Sequence, residues 1–348
     1  MKSNKLVSII IVNWNGKHHL ESCLDSLSKI TYKNTETILV DNASDDGSVK
    51  YTKKNFPKIK VVKNSKNLGF AEGNNIGIAN SKGEYILLLN NDTKVSPTFL
   101  TELVHVLEEN SHIAIAQSKI YMMDDPNRLD TVGSFLTPAG FLYHYGFAKK
   151  DSDQYSKEMI IYSAKGASMI IRRSVLEKIK VNGQVFDKDY FAYFEETDLC
   201  HRAWLAGYEI FFVPKSVVYH KIGATSSKLD NAFVQYHAFK NRINSYIKNL
   251  GSYRLIQILP LHVLLCFAIS FLYLFRGKPK IWLGLNKAIV WNIGNLPKTL
   301  KKRKDIQERI RKIEDREFIP RLLWTVPPIY YFYTFWGKLG KFPEYVQN

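Results

Sequence analysis

The chain has 348 residues, of which 45% are hydrophobic and 23% are charged, and its formal net charge is +17. This hydrophobic content excludes a disordered chain and is sufficient for a substantial core. The positive charge is unevenly distributed: residues 1–220 carry 27 Lys and Arg against 25 Asp and Glu, whereas residues 221–348 carry 22 against 7. Because this basic C-terminal third is also rich in Trp, Tyr, Phe and Leu, an anionic membrane surface is favoured over RNA as its partner.

The cysteines and the N-terminal segment indicate a cytosolic protein. Cys23, Cys200 and Cys266 lie far apart and form neither a paired framework nor a metal-binding spacing, so we expect reduced thiols. The apolar run at residues 6–12 has the length of a strand, and no small-residue cleavage site follows it. We therefore interpret it as a first core strand and not as a signal peptide.

The first part of the chain alternates strand-like and helix-like hydrophobic patterns. Strands are predicted at residues 6–12, 37–40, 59–62 and 86–89, and helices at residues 18–30, 71–80 and 97–109. This order predicts an α/β fold with a mostly parallel, doubly wound, Rossmann-like sheet.

The pattern is less regular between residues 113 and 224. A strand at residues 113–120 precedes residues 121–162, in which prolines and glycines separate short aromatic runs, and this composition predicts a β-rich insertion. Further strands are predicted at residues 163–172 and 209–213, and further helices at residues 175–179 and 195–206. We place the end of the first domain near residue 224, which gives domains 1–224 and 225–348.

The C-terminal third combines apolar segments with clusters of cations. A polar, aromatic helix is predicted at residues 231–250. Residues 258–275 are almost wholly apolar, near the lower limit of about 20 residues for a spanning helix. Such a segment can span a bilayer, form a re-entrant hairpin, lie in the interface or serve as a soluble core helix. Cations follow it directly, and Trp and Tyr border the later apolar blocks, which favours a helical, membrane-associated region.

Polar clusters follow three predicted strands, where ligands bind in open α/β sheets. The cluster that begins at Asp41 can accept hydrogen bonds from a base or ribose, although an ordinary turn also explains it. Residues 67–75 contain evenly spaced glycines that let the backbone approach a ligand, but they match neither the dinucleotide nor the Walker motif. The Asn-Asn-Asp sequence at residues 90–92 offers a carboxylate suited to Mg²⁺ or Mn²⁺, and a turn would also account for it.

A fourth cluster lies at the start of the helix predicted at residues 195–206. Glu195, Glu196 and Asp198 are close enough to repel one another, so at least one should have a raised pKa or a cationic neighbour. An aromatic setting can adjust such a carboxylate to act as a general base near neutral pH. Alternatively, the three carboxylates stabilise the first helical turn through the helix dipole.

Six motifs, in this order, resemble family 2 glycosyltransferases of the GT-A fold, in particular a rhamnosyltransferase-like branch that extends lipid-linked glycans. The resemblance covers residues 7–224. The motifs are Ile-Ile-Val-Asn-Trp-Asn at residues 10–15, Val-Asp-Asn-Ala-Ser-Asp-Asp-Gly-Ser at 40–48, Asn-Leu-Gly-Phe-Ala at 67–71, Leu-Leu-Asn-Asn-Asp at 88–92, Phe-Glu-Glu-Thr-Asp-Leu-Cys-His-Arg at 194–202 and Val-Tyr-His at 218–220.

This resemblance implies which residues bind the donor, a dTDP- or UDP-sugar. They are Val12, Asn13, Asp41, Asn67, Gly69, Asn90 and Asn91. The resemblance also implies that Asp92 and His220 bind Mg²⁺ or Mn²⁺. Because Asn90 replaces the first Asp of the family's Asp-x-Asp metal motif, Asp92 is left as the only carboxylate ligand.

The catalytic base and the acceptor site are implied in the same way. Glu196 stands where inverting relatives have their base, with Glu195 as the alternative, and Asp198 with Arg202 would orient the acceptor. The implied reaction is inverting, metal-dependent transfer of a sugar, with rhamnose as a candidate, to a polyprenyl-diphosphate-linked glycan in cell-surface polysaccharide synthesis.

The implied location is the cytoplasmic face of the cell membrane. The protein would be peripheral or monotopic on this anionic surface, or would have a single span at residues 258–275. Two other classes remain open. One is a non-catalytic membrane scaffold that binds nucleotide sugars, and the other is an RNA-binding protein, which the aromatic-bordered apolar blocks disfavour.

Overall fold

The N-terminal part of the chain folds as the predicted alternation of strands and helices. The computed structural model describes residues 4–223, 229–336 and 339–343. Strands β1 to β5 comprise Val7–Asn13, Thr35–Asp41, Lys60–Lys63, Tyr85–Leu89 and Thr93–Val95. Helices α1 to α4 comprise Lys17–Ser28, Ser48–Asn55, Gly69–Ala79 and Phe99–Glu109. The predicted strands and helices are confirmed, whereas α2 and β5 were not predicted.

Residues 113–220 supply the remaining strands and two helices. Strands β6 to β12 comprise Ile113–Met122, Leu129–Thr131, Gly133–Leu136, Leu142–Tyr145, Met159–Ile160, Ser168–Arg172 and Glu209–His220. Helices α5 and α6 comprise Arg173–Ile179 and Glu195–Leu205. The β-rich insertion is confirmed, since β7 to β10 lie within it. Strand β12 continues beyond its predicted end at Val213, because the irregularity between Val213 and Val217 interrupts the apolar pattern without ending the strand.

The sheet is mixed. In the described residues its order is β10-β12-β6-β11-β4-β1-β2-β3, with β5 paired to β12 and β7 paired to β6. Strands β3, β2, β1 and β4 are parallel, but β11 is antiparallel to both β4 and β6. The prediction of a mostly parallel sheet is therefore wrong for this second half. The insertion connects β6 to β11 through short strands and no crossover α-helix, so the chain re-enters the sheet at the edge where β6 ends.

The central strands are buried on both faces. In β1, Ile9 and Ile11 pack with residues of α1 and α4, whereas Ile10 packs with residues of α3 on the opposite face. All three side chains are almost fully buried. Burial on both faces explains why these strands are continuous apolar runs in the sequence.

The C-terminal helices pack on α6 and on the separate two-stranded sheet of β8 and β9. Helices α7 to α12 comprise Asn231–Asn249, Ser252–Phe275, Pro279–Gly294, Leu296–Asp305, Asp315–Leu322 and Ile329–Phe335. The ring of Phe318 stacks on Trp204 with 5.6 Å between centroids, and Trp324 stacks on Phe135 at 4.1 Å. One hydrophobic cluster includes residues of the sheet and of α7, α8 and α11. The boundary at residue 224 therefore stays a prediction from composition, and the core continues across it.

Among the described residues, one helix is long and apolar enough to cross a membrane. Helix α8 has 24 residues and begins before the predicted segment 258–275. Its length alone does not distinguish a span from an interfacial or core helix.

Candidate active site

One edge of the sheet and the start of α6 enclose a cavity of about 360 Å³. Strands β1, β2 and β4 end at this edge, and β11 begins there because it is antiparallel to β4. The predicted site residues that line the cavity are Val12, Asn67, Gly69, Asn90, Asn91, Asp92, Glu195, Glu196 and His220. The fold thus brings most of the predicted donor, metal and catalytic residues into one space.

Backbone pairing between β5 and β12 brings Asp92 and His220 together. Thr93 lies opposite His220 in the ladder, and the N–H of Lys221 donates to the carbonyl of Asp92 at 3.0 Å. The Nε2 atom of His220 is 3.3 Å from Oδ1 of Asp92 and 3.3 Å from Nδ2 of Asn90. Main-chain hydrogen bonds therefore hold two side chains that are distant in the sequence.

Two residues that the sequence does not reveal support His220. Asp130 on β7 accepts a hydrogen bond from Nδ1 of His220 at 2.7 Å and from Nζ of Lys165 at 2.6 Å. Burial alone would raise the pKa of Asp130, but Lys165 and His220 lower it well below its usual range. Burial alone would lower the pKa of His220, but its hydrogen bonds to Asp130 and Asp92 raise it. Lys165 lies just before β11, which is antiparallel to β4. A sequence argument that looks for site residues only after the ends of parallel strands therefore misses it.

The residues at this point fit a divalent cation. The Oδ1 atom of Asp92 is buried and, apart from its contact with Nε2 of His220 at 3.3 Å, has no hydrogen-bond partner in the described part of the chain. Such an oxygen is costly unless a cation or ligand lies beside it. Asp92 and His220 together offer a cation one oxygen and one imidazole nitrogen. Among the described residues, no group of three or more His, Cys, Asp or Glu side chains forms a complete metal site. The set suits Mg²⁺ or Mn²⁺ that takes its other ligands from a diphosphate and water.

A buried hydrogen-bond network lies beneath the donor side of the cavity. Asn13 donates to Asp41 at 3.1 Å and accepts from Asn91 at 2.7 Å, and the second oxygen of Asp41 accepts from the N–H of Ser44 at 3.0 Å. Asn13 and Asp41 are buried and do not line the cavity, whereas Asn91 does. Asn13 and Asp41 thus support the cavity wall in this structure, and their contact with a donor stays a prediction.

Gly69 joins the donor side to the loop before α6. Its φ is +80°, and a Cβ atom there would lie 2.2 Å from the carbonyl oxygen of Phe191, so only glycine fits. The same carbonyl accepts the N–H groups of Phe70 at 2.7 Å and Ala71 at 3.3 Å. Asn67 accepts the N–H of Gly69 at 2.9 Å. The first N–H groups of α3 are therefore used within the protein.

A strained turn presents the two glutamates. Tyr193 and Phe194 have φ values of +72° and +71°, a left-handed conformation that costs non-glycine residues about 1–3 kcal/mol each. Asn241 on α7 stabilises the turn by donating to two of its carbonyls, at 2.9 and 2.7 Å. Helix α6 begins immediately afterwards, and both Glu195 and Glu196 line the cavity.

Burial raises the pKa of both glutamates. The charge of Glu196 raises the pKa of Glu195 further, whereas Lys165 acts to lower the pKa of Glu196. Lys165 therefore favours the ionised form of Glu196, and the charge of Glu196 favours the protonated form of Glu195. The Oε2 atom of each is buried without a hydrogen-bond partner in the described chain. A carboxylate of this kind is suited to accept a proton from a bound substrate near neutral pH.

The structure does not bring Asp198 and Arg202 to the cavity. They form an ion pair at 3.1 Å, and each is 1% exposed. Arg202 also donates to the carbonyl of Val185 at 2.7 Å, and Asp198 accepts from Asn249 on α7 at 2.9 Å. Asp198 lies about 200° around the helix axis from Glu196, so it faces α7. The predicted acceptor-binding role finds no geometric support, and we omit both residues from the site.

Known proteins share this fold and part of this sequence. Residues 8–180 match the model of the family Glycosyl transferase family 2. An uncharacterized glycosyltransferase of Haemophilus influenzae is 26% identical over 274 residues, which cover 74% of this chain and 81% of the relative. Some other relatives are covered over less than half of their own length.

Two solved structures extend the likeness in fold. S. aureus TarS 1-349 in complex with UDP-GlcNAc has a TM-score of 0.54 at 16% identity and covers 91% of this chain and 83% of its own. The mannosyltransferase PcManGT from Pyrobaculum calidifontis, in complex with GDP-Man and Mn²⁺, has a TM-score of 0.52 at 16% identity and covers 82% and 86%. These likenesses show the α/β GT-A fold. Residues 8–180 match the glycosyl transferase family 2 model, and this match together with the glycosyltransferase relatives shows that the protein is a glycosyltransferase.

Proposed function

We propose that the protein is an inverting glycosyltransferase that uses Mg²⁺ or Mn²⁺ and moves a sugar from a nucleoside diphosphate to a lipid-linked glycan. One observation carries this proposal. The described carboxylates that have a buried oxygen without a hydrogen bond, Asp92, Glu195 and Glu196, all line one cavity. Leaving a buried oxygen without a hydrogen bond costs on the order of 1–3 kcal/mol, less where a cationic group such as His220 lies beside it, and bound substrate and cation would remove this cost. The nucleotide sugars and Mn²⁺ in the related structures support this class of ligand.

In the proposed reaction, Glu196 accepts the proton of an acceptor hydroxyl. The hydroxyl oxygen attacks the anomeric carbon, the new glycosidic bond forms, and the bond to the diphosphate breaks with inversion. Lys165 favours the ionised form of Glu196, and Asp130 fixes the ring of His220. Asp92 and His220 would hold the cation, which when bound supplies positive charge to the leaving diphosphate.

The donor class is proposed from the motifs. Their resemblance to the rhamnosyltransferase-like branch supports a dTDP- or UDP-sugar, with rhamnose as a candidate. Trp14 lines the cavity immediately after the buried Asn13, and it offers an aromatic surface to a nucleotide base.

The acceptor class is proposed from the surface of the C-terminal helices. Apart from Ile222, the exposed large hydrophobic side chains of the described residues all lie on α8, α9, α10 and α12. They are Tyr253, Ile256, Leu261, Leu264, Phe267, Phe275, Leu283, Val290, Ile293, Leu296, Leu300, Ile329 and Phe332. The excess of Lys and Arg in residues 221–348 complements anionic lipid. These features support an enzyme on the cytoplasmic face of the membrane that acts on a polyprenyl-diphosphate-linked glycan.

Helix α8 is proposed to lie on the membrane and not to span it. One side of the helix is buried in the protein, including Ile258, His262 and Cys266. His262 donates from Nδ1 to the carbonyl of Ala139 at 2.9 Å. A spanning helix would lose these contacts with the sheet domain, whereas a monotopic helix keeps them and offers its exposed side to lipid.

A donor screen tests the proposed activity. Purified protein would be incubated with dTDP- and UDP-sugars, a polyprenyl-diphosphate-linked glycan and Mg²⁺ or Mn²⁺, and release of nucleoside diphosphate would be measured. We expect release that requires both the acceptor and the cation. Donor binding without release over a broad acceptor panel would contradict the proposal and favour the non-catalytic scaffold.

Vesicle sedimentation tests the proposed membrane contact. We expect the protein to sediment with phosphatidylglycerol vesicles more than with phosphatidylcholine vesicles, and the double variant Ile256→Asp, Leu264→Asp to lose this binding. Lys54→Glu on α2 serves as a control that changes charge outside the C-terminal helices. Equal sedimentation of the double variant and the wild type would contradict the contact.

A further inference from the structure

Arg242 is a cation without an acidic partner in the described part of the chain. It lies on α7, and its Nε and Nη1 atoms are buried without a hydrogen-bond partner among the described residues. A guanidinium that loses hydration without gaining an anion is unfavourable, so an anionic ligand would remove a cost that the free protein bears.

Three phenylalanine rings surround this guanidinium. Its Cζ atom lies 5.0 Å from the ring centroid of Phe141, 5.3 Å from that of Phe194 and 5.4 Å from that of Phe239. Cation–π contacts attract the faces of a guanidinium and leave the N–H groups in its plane free to bind an anion. Phe194 immediately precedes Glu195, so these donors lie beside the turn that presents the glutamates.

His144 on β9 lies near both Arg242 and the cavity. Its Nδ1 atom is 2.9 Å from Oγ of Ser134, and its Nε2 atom has no partner in the described part of the chain. The side chain is exposed to solvent. Its partner Ser134 donates its N–H to the carbonyl of Ser163 at 3.1 Å, two residues before Lys165, which lines the cavity. Phe141, whose ring contacts Arg242, lies three residues before His144, so the hairpin of β8 and β9 brings His144 toward both.

We propose that Arg242 and His144 bind a phosphate group of the acceptor beside the catalytic glutamates. This inference rests on the proposed function and names the part of the acceptor that the enzyme recognises. A guanidinium can present two parallel N–H donors to a phosphate, and the free imidazole nitrogen adds a third contact. The phosphate belongs either to the diphosphate of a lipid-linked glycan or to a phosphodiester within a glycan chain.

Calorimetry with the full-length protein tests the subsite. UDP and Mn²⁺ would first saturate the donor site, and farnesyl diphosphate would then be titrated, with farnesol as the uncharged control. We expect the wild type to bind farnesyl diphosphate more tightly than farnesol. Arg242→Gln should weaken farnesyl diphosphate binding by about tenfold to hundredfold without changing UDP affinity. Arg242→Lys should lose less, because it keeps the charge without the planar pair of donors.

Several outcomes decide the proposal. Unchanged affinity of the Arg242→Gln protein for farnesyl diphosphate would overturn it. If that variant does not fold, His144→Ala provides the same test, because His144 is exposed. A second titration uses an oligomeric glycerol phosphodiester. If the protein binds this probe but not farnesyl diphosphate, and Arg242→Gln weakens that binding, the site is assigned to a phosphodiester-bearing chain. Wild-type binding of UDP but of neither phosphate probe refutes the subsite alone, whereas failure to bind both UDP and dTDP refutes the proposed donor reaction.

Discussion

Two clusters of buried charge lie on either side of α6, and they differ in how completely they are paired. The cavity cluster consists of Asp92, Asp130, Lys165, Glu195, Glu196 and His220. The interhelix cluster joins the loop before α6 to α7 and α10, and it consists of Asp187, Asp189, Asp198, Arg202, Lys248 and Lys302. In the cavity cluster Asp92, Glu195 and Glu196 each have a buried oxygen without a hydrogen bond among the described residues, whereas every carboxylate of the interhelix cluster contacts a cation.

The interhelix cluster has the properties of a structural network. Asp187 contacts Lys248 at 2.7 Å and Lys302 at 2.6 Å, and Lys248 also contacts Asp198 at 3.1 Å. Burial alone would raise the pKa of Asp187, but the two lysines lower it well below its usual range. Acidic residues on or near α6 can therefore either stabilise the fold or take part in a reaction. Whether each carboxylate is paired with a cation distinguishes these two roles.

The largest expected effect is on the cavity cluster, at Asp92. Replacing Asp92 by Ala removes the only proposed carboxylate ligand of the cation, and we expect transfer to fall by about 10³-fold or more. Asn90→Ala is the matched control and should only weaken transfer. Nucleoside diphosphate release measures both, and equal losses in the two variants would contradict the assignment of the ligand.

Glu196→Gln should lower kcat by about 10²–10⁴-fold, because the amide cannot accept the acceptor proton. UDP affinity, measured by calorimetry, should be unchanged. Glu195→Gln should have a smaller effect, since burial and the charge of Glu196 favour the protonated form of Glu195. If Glu196→Gln leaves nucleotide release intact, the assignment of the base is wrong.

In the interhelix cluster, Asp187→Ala should lower the free energy of unfolding by about 3–5 kcal/mol, because it leaves two lysines partly unpaired in the interior. Lys298→Ala removes an exposed partner of Asp189 and should cost about 0–1 kcal/mol. Denaturant unfolding measures both variants. A large loss of activity in folded Asp187→Ala protein would remove the distinction between the clusters.

The smallest expected effect is that of mild acid, which should lower activity through the cavity cluster without unfolding the protein through the interhelix cluster. Glu196 has a raised pKa and must be ionised to act. As the pH decreases, activity should therefore be lost already at a pH above about 4.3, the usual pKa of a glutamate. Asp187 has a lowered pKa in the folded state, so its contribution to stability is present above about pH 3.9 and is lost only below it. Activity should therefore fall reversibly while circular dichroism shows an intact fold. Loss of both at the same pH would contradict this expectation.

The sequence predicted the parts of the molecule that follow local rules. Strands β1 to β4 are short apolar runs, and the polar residues after β1, β2 and β4 meet because parallel strands end at one edge. The sequence did not predict Lys165, since its position depends on the antiparallel direction of β11. Asp130 was missed because it lies within a short strand of the irregular insertion.

The acidic start of α6 shows the complementary error. Glu195, Glu196 and Asp198 are all acidic, and only the packing of α7 against one side of the helix separates the pair that lines the cavity from the carboxylate in a buried ion pair. Arg242 likewise looked like an ordinary cation of a polar helix. Its missing partner is a property of the tertiary structure.

The contact between Asn241 and the turn before Glu195 has a consequence for biosynthesis. During translation all six family motifs have been made once residue 220 has been added, but the side chain that stabilises the strained turn lies on α7 and is made later. We therefore expect a nascent chain, or a chain truncated at residue 224, to contain every motif and still lack an ordered catalytic pair. Activity of the nascent chain would begin only when α7 has docked, and the chain truncated at residue 224 should stay inactive.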